Sequence, residues 1–275
     1  MKFLFSAFTI IYFLISCQTK DKVEMKSNRL IEEFKPFLHG TWVAAGYIEK
    51  VIKTKSPLKS SDSLKFISEF AIDTAQFLKD SVNVSAGFGN HEGGDFILYF
   101  RKGQNPNSLI TSISDFDNES DSYELGYIVS NKDTVLVLYH YDKNKNLVGT
   151  IRYLKAPKSN IDGNADGLQY MVNKELVSGK YKVVDSTGTE YQINLTVEGR
   201  INGLKGFKSY YILTDFVASS ENITDELCFE IGTGDQKCYR FEIVADTINL
   251  FETPKNEQDT SFITKPIIYR LIKHH

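Results

Sequence analysis

Apolar and polar positions fall along this chain in three patterns. Phe3 to Ile15 form an almost unbroken apolar run behind Lys2; it ends at Leu14-Ile15-Ser16-Cys17, and polar residues take over at Gln18-Thr19-Lys20-Asp21-Lys22. From about residue 38 onward, short apolar runs alternate with polar positions and are separated by Gly, Asn, Asp and Ser, the pattern of strands joined by turns. Two stretches instead follow a helical stripe. Leu30, Ile31, Phe34, Phe37 and Leu38 form one, and Leu168, Met171, Val172 and Leu176 the other. Pro36 should end the first of these helices near Lys35, because proline removes a helical donor and crowds the preceding turn.

The strand-like runs come in two sets of eight. The first set is expected near 41–51, 66–72, 80–86, 94–100, 109–113, 121–130, 133–141 and 147–154. The second is expected near 179–184, 189–197, 200–205, 208–214, 226–231, 236–243, 246–251 and 266–272. Residues 190–197 alternate cleanly, with Tyr191, Ile193, Leu195 and Val197 inward. Phe96 to Phe100 and Val135 to Tyr139 are apolar on both faces, so they need a cover outside the sheet: the other module, a helix or a partner.

The two sets share their ends. The first opens with Leu38-His39-Gly40-Thr41-Trp42-Val43 and closes with Ile151-Arg152-Tyr153-Leu154-Lys155. The second opens with Leu176-Val177-Ser178-Gly179-Lys180-Tyr181 and closes with Tyr269-Arg270-Leu271-Ile272-Lys273. Each copy thus begins Gly-x-aromatic and ends Arg-x-apolar-Lys. The expected class is mostly β: two tandem eight-stranded antiparallel up-and-down barrels, each preceded by a short helix. Eight strands leave room inside for side chains or one small ligand. Gly40-Thr41-Trp42 with Arg152 resembles the lipocalin-like bacterial lipoproteins of the calycin superfamily, and Gly179-Lys180-Tyr181 with Arg270 repeats the pattern with Tyr for Trp. That resemblance implies that Arg152 and Arg270 pack over Trp42 and Tyr181 to close one end of each barrel, a contact that guanidinium groups make well. The alternative is a pair of sandwiches with accidental similarity.

The N-terminal run is too short to span a bilayer, which takes about 20 apolar residues, and has the charge, core and small residue of a secretory signal. Leu14-Ile15-Ser16-Cys17 resembles the lipobox of bacterial lipoproteins. The resemblance implies cleavage after residue 16, a diacylglyceryl thioether on Cys17 and acylation of its new amino group, an anchor of palmitate type. Two or more chains hold a protein firmly to a membrane. Gln18 after the cysteine points to the outer membrane, on its periplasmic or surface face. The expected organisation is a signal peptide over 1–16, a lipidated tether over 17–28, a barrel over 29–155, a linker with a short helix over 156–174 and a second barrel over 175–275.

Composition narrows the partners. The chain carries a net charge of −3, with no basic patch to recommend nucleic acid or an anionic lipid surface. Fifteen Tyr and 19 Phe against one Trp and three Met favour strands. Beyond Cys17, only Cys228 and Cys238 remain, on two alternating strands around Gly232-Thr233-Gly234. Leu227, Phe229 and Ile231 share one face, as do Tyr239, Phe241 and Ile243, and the cysteines share the other. In an oxidising compartment they can pair as a structural disulfide; otherwise they are two free thiols on the barrel exterior.

Catalytic chemistry finds little support. Gly87-Phe-Gly-Asn-His-Glu-Gly-Gly-Asp95 precedes strand-like residues rather than a helix, so it reads as a hairpin loop and not a phosphate cradle. The histidines form no metal-spaced cluster, no serine sits in a nucleophile elbow, and no enzyme is expected. Asp162-Gly-Asn164-Ala-Asp166-Gly167 matches the first half of a calcium loop. However, Asn173 stands where that loop needs a bidentate Glu, and the alternative is a plain hydrophilic linker. Calcium aside, no cofactor is expected. The leading expectation is a membrane-anchored envelope protein holding a small apolar ligand or a protein partner. The alternative is an envelope-assembly protein whose barrels are filled with side chains.

Overall fold

The structure, a computed structural model, describes residues 27–274 except 65, 90, 115–117, 131–132, 158–166, 217–223 and 254–265. Its strands form two eight-stranded antiparallel meanders. The first comprises β1 (Gly40–Ala44), β2 (Ile67–Ile72), β3 (Ser81–Phe88), β4 (Glu92–Lys102), β5 (Ser108–Thr111), β6 (Ser122–Ser130), β7 (Asp133–Tyr141) and β8 (Leu147–Lys155). It closes into a barrel, β8 returning to β1 with Trp42 opposite Lys155 and Ala44 opposite Tyr153.

The second meander comprises β9 (Gly179–Asp185), β10 (Glu190–Leu195), β11 (Ile201–Asn202), β12 (Tyr210–Ile212), β13 (Glu226–Phe229), β14 (Lys237–Val244), β15 (Thr247–Glu252) and β16 (Ile267–Lys273). Its sheet runs β11-β10-β9-β16-β15-β14-β13-β12. The remaining seam, between β11 and β12, is drawn together by one bridge, Arg200 to Ser209, and by the Tyr210 N–H donating to the Gly199 carbonyl at 2.7 Å. The second barrel is therefore nearly closed.

One expected strand is mostly helix. The run read as 41–51 leaves the sheet after Ala44 and becomes α2 (Ala45–Thr54). Tyr47, Ile48 and Val51 lie three and four residues apart and bury one helical face, a period hidden in a run that is apolar nearly throughout. The strands expected at 200–205 and 208–214 shrink to 201–202 and 210–212, where Gly203 and Gly206 take positive φ. Val197, expected inward on a strand, lies beyond β10, and its carbonyl accepts from Asn173 Nδ2 at 3.0 Å.

Helix α1 spans 27–38 and runs through Pro36. The lost hydrogen bond and clash cost about 3 kcal/mol. Burial of Phe34 and Leu38 at 0 % exposure offsets this at about 1.5–3 kcal/mol each, and Phe37 stacks on Tyr127 at 4.1 Å. Helix α3 (Gly167–Leu176) buries Leu168, Met171, Val172 and Leu176. Its first turn is capped by Glu69, whose carboxylate accepts from the Leu168 N–H at 2.7 Å.

Compactness groups the chain into one unit of residues up to 40, 71–85 and 95–152, and another of 41–70, 86–94 and 153–275. In the first unit, β7 is apolar on both faces. Val137, Tyr139 and Tyr141, with Val135, form a small buried cluster on its outer face. The β4–β5 loop supplies part of the cover, its Asn107 carbonyl filling the space over Gly126 beside Tyr139.

Candidate functional site

The cation over each closing aromatic is a lysine. Lys155 Nζ lies 5.6 Å from the Trp42 ring centroid, and Lys273 Nζ lies 6.0 Å from that of Tyr181. Strand alternation explains why Arg152 and Arg270 do not take these places. Lys155 is the register partner of Trp42 and Lys273 that of Tyr181, so each pair shares a face. Arg152 and Arg270, three residues earlier, fall on the opposite face and are exposed. The basic residue that closes each barrel thus sits one strand face away from the one the motif indicated.

The first barrel buries a set of apolar side chains. Trp42, Val82, Val84, Leu98, Leu109, Leu125, Leu136 and Tyr153 are each 0 % exposed, and Phe70 packs on Tyr153 with ring centroids 4.7 Å apart. The Tyr153 hydroxyl donates to the Ile67 carbonyl at 3.1 Å, leaving no free donor there.

The second barrel has two unlike ends. At one end Tyr181 is buried, with its hydroxyl donated to the Val177 carbonyl at 2.7 Å. A pocket of about 130 Å³ lies there, lined in part by Lys55, Glu175, Tyr181, Asp246 and Lys273. At the other end, the inward positions of β10, β14 and β16 hold Tyr191, Tyr239 and Tyr269, all only half-buried. The Tyr239 and Tyr269 rings meet edge-on at 5.6 Å, Tyr239 meets Phe229 at 5.9 Å, and Phe207 stacks on Phe229 at 4.7 Å. Lys237 Nζ lies 5.8 Å from the Phe207 centroid.

The hydroxyls at this mouth differ from those buried elsewhere. Tyr153, Tyr181 and Tyr210 each give theirs to a backbone carbonyl. Tyr239 and Tyr269 instead share a hydrogen bond with each other. Burial, followed by the neighbouring Tyr269, pushes Tyr191 and Tyr239 up to about 12, so both stay neutral donors at any physiological pH. The mouth therefore combines aromatic surface and protonated hydroxyls with the neighbouring Asp185 and Glu252 carboxylates.

The wall of this mouth is stapled. Cys228 and Cys238, register partners on β13 and β14, are joined by a disulfide. The hairpin turn is longer than the three expected residues, running from Glu230 to Gln236 through two successive turns. Ile231 consequently leaves the strand and is 46 % exposed, instead of sharing the inner face with Leu227 and Phe229.

One carboxylate in the second unit ties the chain together rather than facing solvent. Asp225 accepts from Ser56 Oγ at 2.5 Å and from the Leu58 N–H at 2.8 Å, at the start of a 3-10 turn, Leu58–Ser63. Burial raises its pKa. Nearby, the Tyr47 hydroxyl is fully buried and has no hydrogen-bond partner among the described residues. His91 Nδ1 pairs with Asp215 at 2.9 Å on the surface, and no other carboxylate or cysteine joins it among the described residues in a metal-sized cluster. In the first unit, a cleft of about 400 Å³ over Ile110, Tyr123 and Glu124 is flanked by Lys102 and Lys145. The Glu124 carboxylate there is already satisfied by Ser108 Oγ and by the Gln104 and Asn105 N–H groups.

No family profile, curated protein or solved structure matches this chain. The geometry must therefore carry the reading alone. Cys17 and the calcium-loop residues Asp162, Asn164 and Asp166 lie outside the described residues. Of the tyrosine mouth, the sequence showed only Tyr191 on an inward face and Tyr239 on the face of Phe241 and Ile243, on strands far apart in the chain. Their convergence required the circular strand order.

Proposed function

We propose that this chain is an exported lipoprotein, tethered through Cys17, that binds a small, largely apolar molecule at the tyrosine-lined mouth of its second barrel. The first barrel serves as a structural platform. One observation carries the reading: the half-buried Tyr191, Tyr239 and Tyr269 at one end of a barrel whose other end carries Lys273 over the buried Tyr181. Exposed aromatic surface with unspent polar capacity costs a folded protein solubility and is retained where something binds. No catalytic role is assigned. A scaffold role, in which neither barrel takes a ligand, is supported by the fully buried apolar side chains of the first barrel, and the two readings part at the second.

The experiment is a titration with the apolar fluorophore 1-anilinonaphthalene-8-sulfonate. Its emission should rise with the folded chain and fall to background with Tyr239→Leu/Tyr269→Leu, a pair chosen to keep the apolar volume. Equal emission from both proteins would remove the mouth from the account. Membrane tethering is tested separately, because Cys17→Ala should move the chain to the soluble fraction.

A further inference from the structure

We infer that Glu226, Cys228 and Cys238 form a redox-gated site for a thiophilic divalent cation of the zinc class, closed while the disulfide stands and open once it is reduced. The carboxylate oxygen of Glu226 and both Sγ atoms lie within 4.8 Å of one another. Register places the two cysteines directly across the β13–β14 ladder, with their Cα atoms 3.9 Å apart. Freed thiolates at that spacing can each turn to within about 2.3 Å of one ion. Glu226, two residues before Cys228, projects from the same face and supplies a third ligand. Two soft sulfurs and one oxygen suit zinc or cadmium and disfavour calcium or magnesium.

A second observation points the same way. Glu226 is half-buried, yet among the described residues its carboxylate receives only the Thr224 hydroxyl, at 3.4 Å, and pairs with no cation. Its register partner Arg240 is bound to Glu242 and laid over Phe251 at 4.1 Å. A cation between Glu226 and the two thiolates would give that carboxylate a partner.

The gating step balances. A dithiol reductant attacks the half-exposed Cys238 sulfur, the S–S bond breaks, and two electrons and two protons leave two thiols while the reductant closes to its own disulfide. The arriving cation then displaces the two thiol protons and forms two metal–sulfur bonds and one metal–oxygen bond. Remaining coordination is left to solvent.

Cadmium provides the probe. The full chain is treated with dithiothreitol, its free thiols are counted, the reductant is removed under argon, and cadmium is added while thiolate-to-cadmium charge-transfer absorption is followed. The expected result is two thiols, a saturable band at one cadmium per chain, and no band in the oxidised chain. Glu226→Gln should keep the band but weaken binding at least about 10-fold, the loss that follows removal of even a supporting partner. Far-ultraviolet circular dichroism shows that each sample is folded, so unfolding cannot mimic the result. A disulfide that resists reduction in the folded chain, a reduced chain without the band, or equal affinity in Glu226→Gln would each overturn the site.

Discussion

Lys155 stands directly across the β1–β8 ladder from Trp42 and holds its ammonium 5.6 Å from the indole centroid. The same relationship recurs at the other seam, between Lys273 and Tyr181. In both, the cation comes from the final strand and covers the aromatic residue of the opening one, so the contact forms only when the sheet curls shut.

Replacing Lys155 with Met, which keeps the aliphatic stem, should therefore lower stability by about 0.5–2 kcal/mol, the range for a cation over an aromatic face. Arg152→Met, on the exposed opposite face, should cost less. Urea unfolding followed by emission of the single tryptophan measures both in the same barrel. A larger loss from Arg152 would restore the arginine to the closing role.

The Cys228–Cys238 disulfide closes a short loop, with a sequence separation of 10. In the chain-entropy account a loop of this size contributes about 2–3 kcal/mol. Cys228→Ser/Cys238→Ser should lower the unfolding free energy by that amount, measured by urea unfolding of the folded chain. A loss well under 1 kcal/mol would mean that the β13–β14 hairpin is held mainly by its ladder and by Phe229 and Tyr239.

Two glycines predict opposite outcomes for one substitution. A Cβ on Gly167 would meet Thr41 Cγ2 at 2.4 Å and Glu69 Oε2 at 2.9 Å, where α3 starts against β1 and β2. Gly167→Ala should destabilise by about 1–3 kcal/mol, as overpacking does. Gly46, in α2, has open space around its Cβ position. Gly46→Ala should stabilise by about 0.5–1 kcal/mol, since alanine loses less backbone entropy in a helix. Thermal melts of the two variants check both signs.

Asp225 sets a pH dependence. Burial raises its folded pKa above the unfolded value of about 3.9. A raised carboxylate contributes stability that is fully present below the unfolded pKa and is lost as pH rises through the folded pKa. Asp225→Asn, whose amide oxygen still accepts from the Leu58 N–H while its NH2 can donate to Ser56 Oγ, should flatten the stability curve over that acidic range. Asp225→Ala leaves both donors unsatisfied and should cost about 1–3 kcal/mol at every pH. Denaturant melts from acid to neutral pH separate the two, and an unchanged slope in Asp225→Asn would assign the dependence elsewhere.

Much of this fold was legible in the sequence because antiparallel strands write their faces into it. The alternation of Tyr191, Ile193 and Leu195, and the expected opposition of Cys228 and Cys238, rest on local period alone. What period could not resolve was α2, where Trp42 to Val51 is apolar enough to fit either element until Tyr47, Ile48 and Val51 are seen to share a side. Nor could it decide which basic residue meets Trp42. That depends on a register fixed by barrel closure, and a shift of one position exchanges Arg152 and Lys155 for their neighbours. The tyrosine mouth was the least legible feature, since Tyr191, Tyr239 and Tyr269 become neighbours only through the β10-β9-β16-β15-β14 order.

The central claim is that the second barrel's mouth holds a small molecule, and native mass spectrometry of the full chain after gentle extraction tests it most directly. The account predicts a discrete adduct above the mass of the chain itself, released at modest collision energy and absent from Tyr239→Leu/Tyr269→Leu. A spectrum showing only the bare chain, or an adduct that survives in the double variant, would contradict it.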